Sequence, residues 1–229
     1  MGPKLFVQKS LRRVRWEATK AYRKTPAPRL ARAVSLFRNE VGYLRQTGWS
    51  QSERIGLPAD SDGLPIPWYT FPAIAFLEPR LPLHGAVFEF GMGNSTLWWS
   101  RRAASVDAVE HDAAWFAQIA ATMPPNVTAR LAELDGPDYV NAAAASGKLY
   151  SILVLDGRRR VRCMKGSLAA LAPEGVVIWD NSERDWYREG YELLAENGFR
   201  RLDFWGLGPL SHHQWCTSIF YRPGNCLNI

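Results

Sequence analysis

Acidic side chains close several short apolar runs in this chain, and glycines follow the first of them. Val87-Phe88-Glu89-Phe90-Gly91-Met92-Gly93-Asn94-Ser95-Thr96-Leu97 reads as a strand, a glycine-bearing turn and the start of a helix. Gly91 and Gly93 carry no Cβ, so the backbone there can turn sharply and come close to a ligand. The amides of Asn94, Ser95 and Thr96 would face outwards at a helix N-terminus, which favours polar or anionic groups. Glu110 closes the next run, Val106-Asp107-Ala108-Val109-Glu110, and His111 and Asp112 follow it. An acid about twenty residues after such a turn can accept hydrogen bonds from ribose hydroxyls. A tight strand–helix loop followed by an exposed acid would give the same pattern with no ligand.

Two later runs end in the same way: Ile152-Leu153-Val154-Leu155-Asp156-Gly157 and Val176-Val177-Ile178-Trp179-Asp180-Asn181. If both are parallel strands, Asp156, Asp180 and Asn181 share one rim with the glycine turn. Three oxygen-bearing side chains on a rim can hold a hard cation such as Mg²⁺, with waters completing the octahedron. Equally, Asp156 can face a nucleotide-like ligand while Asp180 and Asn181 cap the next helix. Arg158-Arg159-Arg160, with Arg162 and Lys165, can clamp a carboxylate, a phosphate or a sugar nucleotide, or form a solvated helix start. Ser211-His212-His213-Gln214 lies in a loop, and a histidine there can take a proton from a hydroxyl near neutral pH. Exposed histidines with no such role read the same way. The cluster Trp68-Tyr69-Thr70-Phe71 either covers a ligand or packs as a helix.

The elements that must carry these residues follow from periodicity. Strand-length runs are predicted at Ala86–Phe90, Ser105–Glu110, Val127–Glu133, Ser151–Asp156, Gly175–Asp180, Phe199–Trp205 and Thr217–Tyr221. Helix-compatible segments separate the first five: Thr96–Ala103, Ala113–Met123, Tyr139–Ala145 and Val161–Leu171. Trp186–Asn197 supplies another before the sixth run. Strands alternating with helices predict parallel βαβ units with right-handed crossovers. The last two runs are joined by Gly206–Trp215 without a helical pattern, which predicts an antiparallel pair. The fold class expected is therefore α/β, a Rossmann-like doubly wound sheet of five parallel strands plus a terminal antiparallel pair.

Residues 1–84 are expected to form a basic helical extension and connector, and residues 85–229 the α/β domain. Leu11, Val14 and Trp16, and then Leu30, Ala33, Val34, Phe37 and Val41, recur at helical steps, and Pro26 and Pro28 divide them. Residues 48–68, rich in Gly and Pro, are predicted to be irregular, and Tyr69–Leu81 helical. The 229 residues carry a net charge of +6. It divides unevenly: residues 1–46 hold 12 Lys and Arg against Glu17 and Glu40, and the remainder is mildly acidic. Such a leader suits an anionic membrane surface or nucleic acid, or is simply a solvated helix face. At 47% hydrophobic and 22% charged residues, the composition excludes disordered and collagen-like classes. No apolar run approaches the ~18 residues of a spanning helix, and no secretory signal is read at the N-terminus. Cys163, Cys216 and Cys226 show neither a disulfide framework nor zinc spacing. A cytoplasmic protein, possible at a membrane's inner face through its leader, is expected.

The acid before the glycine turn, the glycines themselves and the acid ending the second strand together resemble the class I S-adenosylmethionine-dependent methyltransferases over residues 85–222. Thr96 stands where a dinucleotide fingerprint wants Gly or Ala, which disfavours a nicotinamide-dependent oxidoreductase without excluding it. The resemblance implies that Glu89 orients the methionine amine, Gly91 and Gly93 pass beneath the cofactor with Asn94 and Ser95 beside them, and Glu110 holds its ribose. It places His111, or Glu133 and Asp135, at the adenine. Asn94-Ser95 replaces a third glycine that many members carry. Asp156, Asp180 and Asn181 are similar to the metal ligands of the catechol-type O-methyltransferases, in which a lysine base follows the first Asp. Here arginines follow it, and arginine is not a base, so Mg²⁺ is not favoured. Asp156, His212 and His213 are the remaining catalytic candidates. The expected function is O-methylation of a small hydroxylated metabolite or sugar. An RNA methyltransferase using the basic leader and a non-catalytic partner-binding protein on the same fold are the alternatives.

Overall fold

The computed structural model describes residue 20 and residues 25–38, 41–81 and 83–229. The expectations for Leu11, Val14 and Trp16 lie outside the described residues. Seven strands form one sheet: β1 (Ala86–Phe90), β2 (Ser105–Glu110), β3 (Val127–Leu131), β4 (Tyr150–Leu155), β5 (Leu171–Asp180), β6 (Arg200–Gly206) and β7 (Trp215–Tyr221). Their order is β3-β2-β1-β4-β5-β7-β6. The first five run parallel, and β7 pairs antiparallel with both β5 and β6. The expected Rossmann-like sheet with its reversed pair is present. Strand order reverses between β1 and β4, and the crevice outside the carboxyl ends of those two strands is the usual ligand site of an open α/β sheet.

Alternate residues along the central strands enter opposite layers, as the two-residue period of a strand requires. Phe88, Phe90, Leu153, Leu155, Val177 and Trp179 pack on one face with Tyr139, Met164 and Leu194. Val87, Ile152, Val154, Val176 and Ile178 pack on the other with Tyr69, Leu77, Trp98 and Trp99. Both faces are covered, so these strands read as nearly continuous apolar runs. The edge strand β6 instead presents Arg200, Arg201 and Asp203, charges of the kind that discourage edge-to-edge pairing.

Several boundaries differ from expectation. Residues 48–68 are not wholly irregular, because Trp49–Ile55 is a helix. Gly48 and Gly56, which read as loop residues, are left-handed at φ 86° and 72° and bound that helix at its two ends. A Cβ on Gly48 would lie 2.2 Å from the Ala59 carbonyl oxygen. The buried Ser52 hydroxyl closes the loop: it accepts the Ala59 N–H at 2.9 Å and lies 2.9 Å from both the Gly48 and the Ala59 carbonyl oxygens, which share its one proton. The helix expected to reach Leu171 stops at Ser167, continues as a 3₁₀ turn over Leu168–Ala170, and hands Leu171 to β5. Leu171 pairs with Tyr150, and Pro173 just beyond it could not extend a helix. The Tyr69–Leu81 helix is shorter, Phe71–Leu77 followed by a 3₁₀ turn over Glu78–Arg80. Segments ahead of β1 join the core: Thr70 Oγ1 donates to the Phe204 carbonyl at 2.9 Å, and Trp49 Nε1 to the Ser211 carbonyl at 2.8 Å.

Candidate functional site

The turn after β1 is built around a buried acid. Glu89 is 1% exposed, and Thr96, in the first turn of the helix Asn94–Ser100, donates its hydroxyl to Glu89 Oε2. The same Thr96 oxygen accepts the Gly93 N–H at 3.0 Å, so one small side chain ties acid, turn and helix together. Among the described residues, Glu89 Oε1 has no hydrogen-bond partner. Burial pushes the carboxyl up to about 7, against the pull of the Ser95 and then the Thr96 hydroxyl. Gly91 has φ +94° and gives its N–H to the Val109 carbonyl at 2.8 Å. That left-handed backbone requires glycine. Gly93 is extended, and a Cβ there would only touch Trp115 at 3.7 Å.

At the end of β2, Glu110 folds back over the turn. Its Oε2 accepts the Met92 N–H at 3.2 Å, and its Oε1 accepts those of His111 and Asp112 at 2.7 and 2.8 Å. These amides fix the carboxylate against the glycine turn. His111 Nδ1 lies 2.7 Å from Glu110 Oε1, and its ring meets Tyr139 edge-on with centroids 5.9 Å apart. Asp112 caps the helix Ala113–Ala120 through the Ala114 and Trp115 amides.

The carboxyl ends of β4 and β5 are joined by Arg160, which is 5% exposed. Nη2 donates to Asp156 Oδ1 and the Asp156 carbonyl at 3.1 Å each and to Asn181 Oδ1 at 3.3 Å. Nη1 donates to the Asp180 carbonyl, and Nε to that of Gly157 at 3.0 Å. The Asp180 carboxylate turns elsewhere, its Oδ1 accepting from Trp215 Nε1 at 3.0 Å and Thr217 Oγ1 at 2.6 Å. Burial, then the neighbouring Asp180 charge, holds the Asp156 carboxyl well above the usual carboxylate range, with Arg160 pulling it down. Asp180 is raised by burial and drawn back by Arg160.

Two cavities meet at Asp156. The larger, about 660 Å³, is lined by Glu89, Gly91, Ser95, Glu110, His111 and Asp156 on the sheet side, and by Arg158, Arg184, Trp186 and Tyr187 opposite. The second, about 420 Å³, is lined by Trp68, Asp156, Asp180, Asn181, His213 and Trp215. A narrow groove of about 150 Å³ beside them takes in Gly93, Asn94, Trp68 and Asp156. Both cavities fall within the range of ordinary ligand sites.

Most of the expected site residues therefore converge. Asn94 and Ser95 border the groove, and Asn94 Nδ2 is held by the Pro58 carbonyl at 2.6 Å. Asp135 lies apart: it is 62% exposed and paired with Arg159 at 2.8 Å, and it lines neither cavity. Of the two histidines, His213 faces the second cavity and His212 does not. Trp68 takes part in the second cavity and in the groove. Arg184, Trp186 and Tyr187 were not expected at the site. The signal available for them was an arginine and two bulky aromatics directly after the β5 acid, where loops of an α/β fold carry function.

No family model matches the chain, and no curated protein does. Solved structures do match. One is a precorrin-6y C5,15-methyltransferase from Geobacter metallireducens GS-15, with TM-score 0.52 and 13% identity over 67% of this chain and 88% of that one. Another is a proposed caffeoyl-CoA O-methyltransferase from Staphylococcus aureus, with TM-score 0.51 and 10% identity over 84% of this chain and 98% of that one. At these identities the likeness is one of fold: the chain has the Rossmann-like architecture on which those methyltransferases are built.

Proposed function

We propose that this protein is an S-adenosylmethionine-dependent methyltransferase acting on a hydroxyl group of a small metabolite, sugars included. The observation that carries the reading is Glu89 Oε1, a buried carboxylate oxygen without a hydrogen-bond partner among the described residues, in a wall of the larger cavity. Leaving such an oxygen unpaired is costly, and the ammonium of a methionine moiety is a suitable partner. The remaining walls fit the same molecule. The Gly91 turn admits a close approach, Glu110 offers its carboxylate to ribose hydroxyls, and His111 borders the base. Bound there, S-adenosylmethionine supplies an electrophilic methyl group.

The residues of this chain then have separable tasks. Glu89 and Glu110 fix the two ends of the cofactor, and Asp156 stands where its cavity opens into the second one. Trp68 and Trp215 give the second cavity aromatic walls, while Asp180, Asn181 and His213 give it polar groups. Hydrophobic and polar walls of this kind suit a ring bearing hydroxyls. Rate enhancement comes chiefly from holding the acceptor oxygen in line with the methyl group. Asp156, whose carboxyl burial holds well above the usual carboxylate range, and His213 are the candidates to accept the hydroxyl proton. His212, off the cavity, drops behind them. The basic leader supports a further expectation, association with an anionic membrane surface.

Titration calorimetry tests the cofactor directly. S-adenosylmethionine and its demethylated product should bind and NAD should not. Glu110→Ala should weaken binding by about 1.5–3 kcal/mol, the scale of a hydrogen bond to a charged group. Unchanged affinity in that variant would remove Glu110 from the site. Mass-shift screening of hydroxylated metabolites then identifies the acceptor.

A further inference from the structure

We infer that the Arg160 guanidinium is the resident cation where β4 and β5 end, occupying by its hydrogen bonds the place a divalent ion would need. Methyl transfer here would then proceed without a metal, a consequence that rests on the function proposed above. A Mg²⁺ ion needs ligand oxygens turned towards a common point at about 2.0–2.1 Å. Asp156, Asp180 and Asn181 share a cavity wall, but one oxygen of each is already taken. Asp156 Oδ1 and Asn181 Oδ1 both accept from Arg160 Nη2, at 3.1 and 3.3 Å. The third carboxylate, Asp180, directs Oδ1 to Trp215 and Thr217 of β7. Among the described residues, no group of three or more His, Cys, Asp or Glu side chains could hold a metal ion.

Arg160 is not a passing occupant. It is buried, and its Nε, Nη1 and Nη2 donors also hold the backbone carbonyls of Gly157, Asp180 and Asp156. A guanidinium stays charged in such a setting and presents a planar fork that an ammonium cannot copy. An ion entering between Asp156 and Asn181 would break those bonds and meet a like charge at close range. The guanidinium thus does two things an ion would otherwise do: it neutralises Asp156 and fixes the angle between the two strand ends. Arg160 is accordingly a positioning residue, acting on the acceptor through Asp156 and Asn181.

Mn²⁺ serves as the probe, followed by electron paramagnetic resonance on the full chain. The unaltered protein should leave the free-ion signal undiminished up to millimolar Mn²⁺. Arg160→Met removes the fork at similar length and should acquire a bound-ion signal, at least tenfold tighter than any in the parent. A second change, Asp156→Asn, should remove that signal again. One Mn²⁺ bound per chain in the unaltered protein, and lost in Asn181→Ala, would overturn the inference. So would an Arg160→Met protein that melts cooperatively yet acquires no ion. If Arg160→Met does not fold, the titration of the unaltered chain decides by itself. S-adenosylmethionine titrated in parallel, in chelator, reports separately on the methyltransferase reading, so either can fail without the other.

Discussion

Charging a carboxyl beneath a backbone turn costs solvation that the turn must replace, and at Glu89 the Ser95 and Thr96 hydroxyls replace only part of it. Its pKa in the folded chain is about 7, against an ordinary 4.5. Between those values the native state keeps a proton that the unfolded chain has released. Stability should therefore fall as pH rises from about 4.5 to 7 and level off above, by roughly 3 kcal/mol in all. Asp156 and Asp180 are raised as well and slope the same way. The comparison to make is thermal melting of Glu89→Gln against the parent from pH 4.5 to 8, and the variant should lose Glu89's share of the slope. A cationic amine bound at Glu89 favours the ionised form, so cofactor binding near pH 7 should expel a proton and tighten as pH rises through 7. Calorimetry in buffers of different ionisation enthalpy reads that proton. Glu110 stood out in the sequence as the acid that ends β2, and Glu89 only through the resemblance, two residues ahead of Gly91. For Arg160 the sequence left a clamp on an anion and a solvated helix start both open, and only the meeting of β4 with β5 tells which guanidinium goes inside.

At the scale of elements, the crevice depends on how closely β1 and β4 let their exits pass. A Cβ on Gly157 would lie 2.3 Å from Tyr139 Oη and 3.0 Å from the Phe90 carbonyl group. Tyr139 is itself fully buried against Phe90, so neither neighbour can give way cheaply. Gly157→Ala should cost on the order of 1–3 kcal/mol by overpacking, measured by denaturant unfolding. Pairing it with Tyr139→Phe should recover only part, because the Phe90 clash remains. The sequence showed this glycine merely as the residue after an acid, since its constraint comes from a strand far away in the chain. Gly48 and Gly56 misled in the opposite direction. Their left-handed backbones bound the helix Trp49–Ile55, and so short a helix offers little periodicity to set against two glycines.

Over the whole molecule, the alternation of strands and helices was legible because a doubly wound sheet buries both faces, which leaves apolar runs too continuous to miss. The attachment of the segments before β1 was less so, because Tyr69, Phe71 and Leu77 read as a helix without revealing which sheet face it covers. The charge division was legible outright, and the helix Ala27–Arg38 bears on it: Leu30 and Leu36 are 67% and 51% exposed. The full chain should co-sediment with vesicles containing anionic lipid, at about 1 kcal/mol per basic residue at the surface, and release in high salt. Binding that ignores lipid charge would remove the membrane expectation. The strand order has one more consequence, and it concerns biosynthesis. β7 is made after β6, yet it inserts between β5 and β6. A nascent chain that has reached Gly206 therefore carries β5 with an open edge of Val177, Ile178 and Trp179, a surface prone to mispairing. Asp180 at that stage lacks both Trp215 and Thr217. The strand that seals the sheet also supplies Trp215 to the wall of the second cavity.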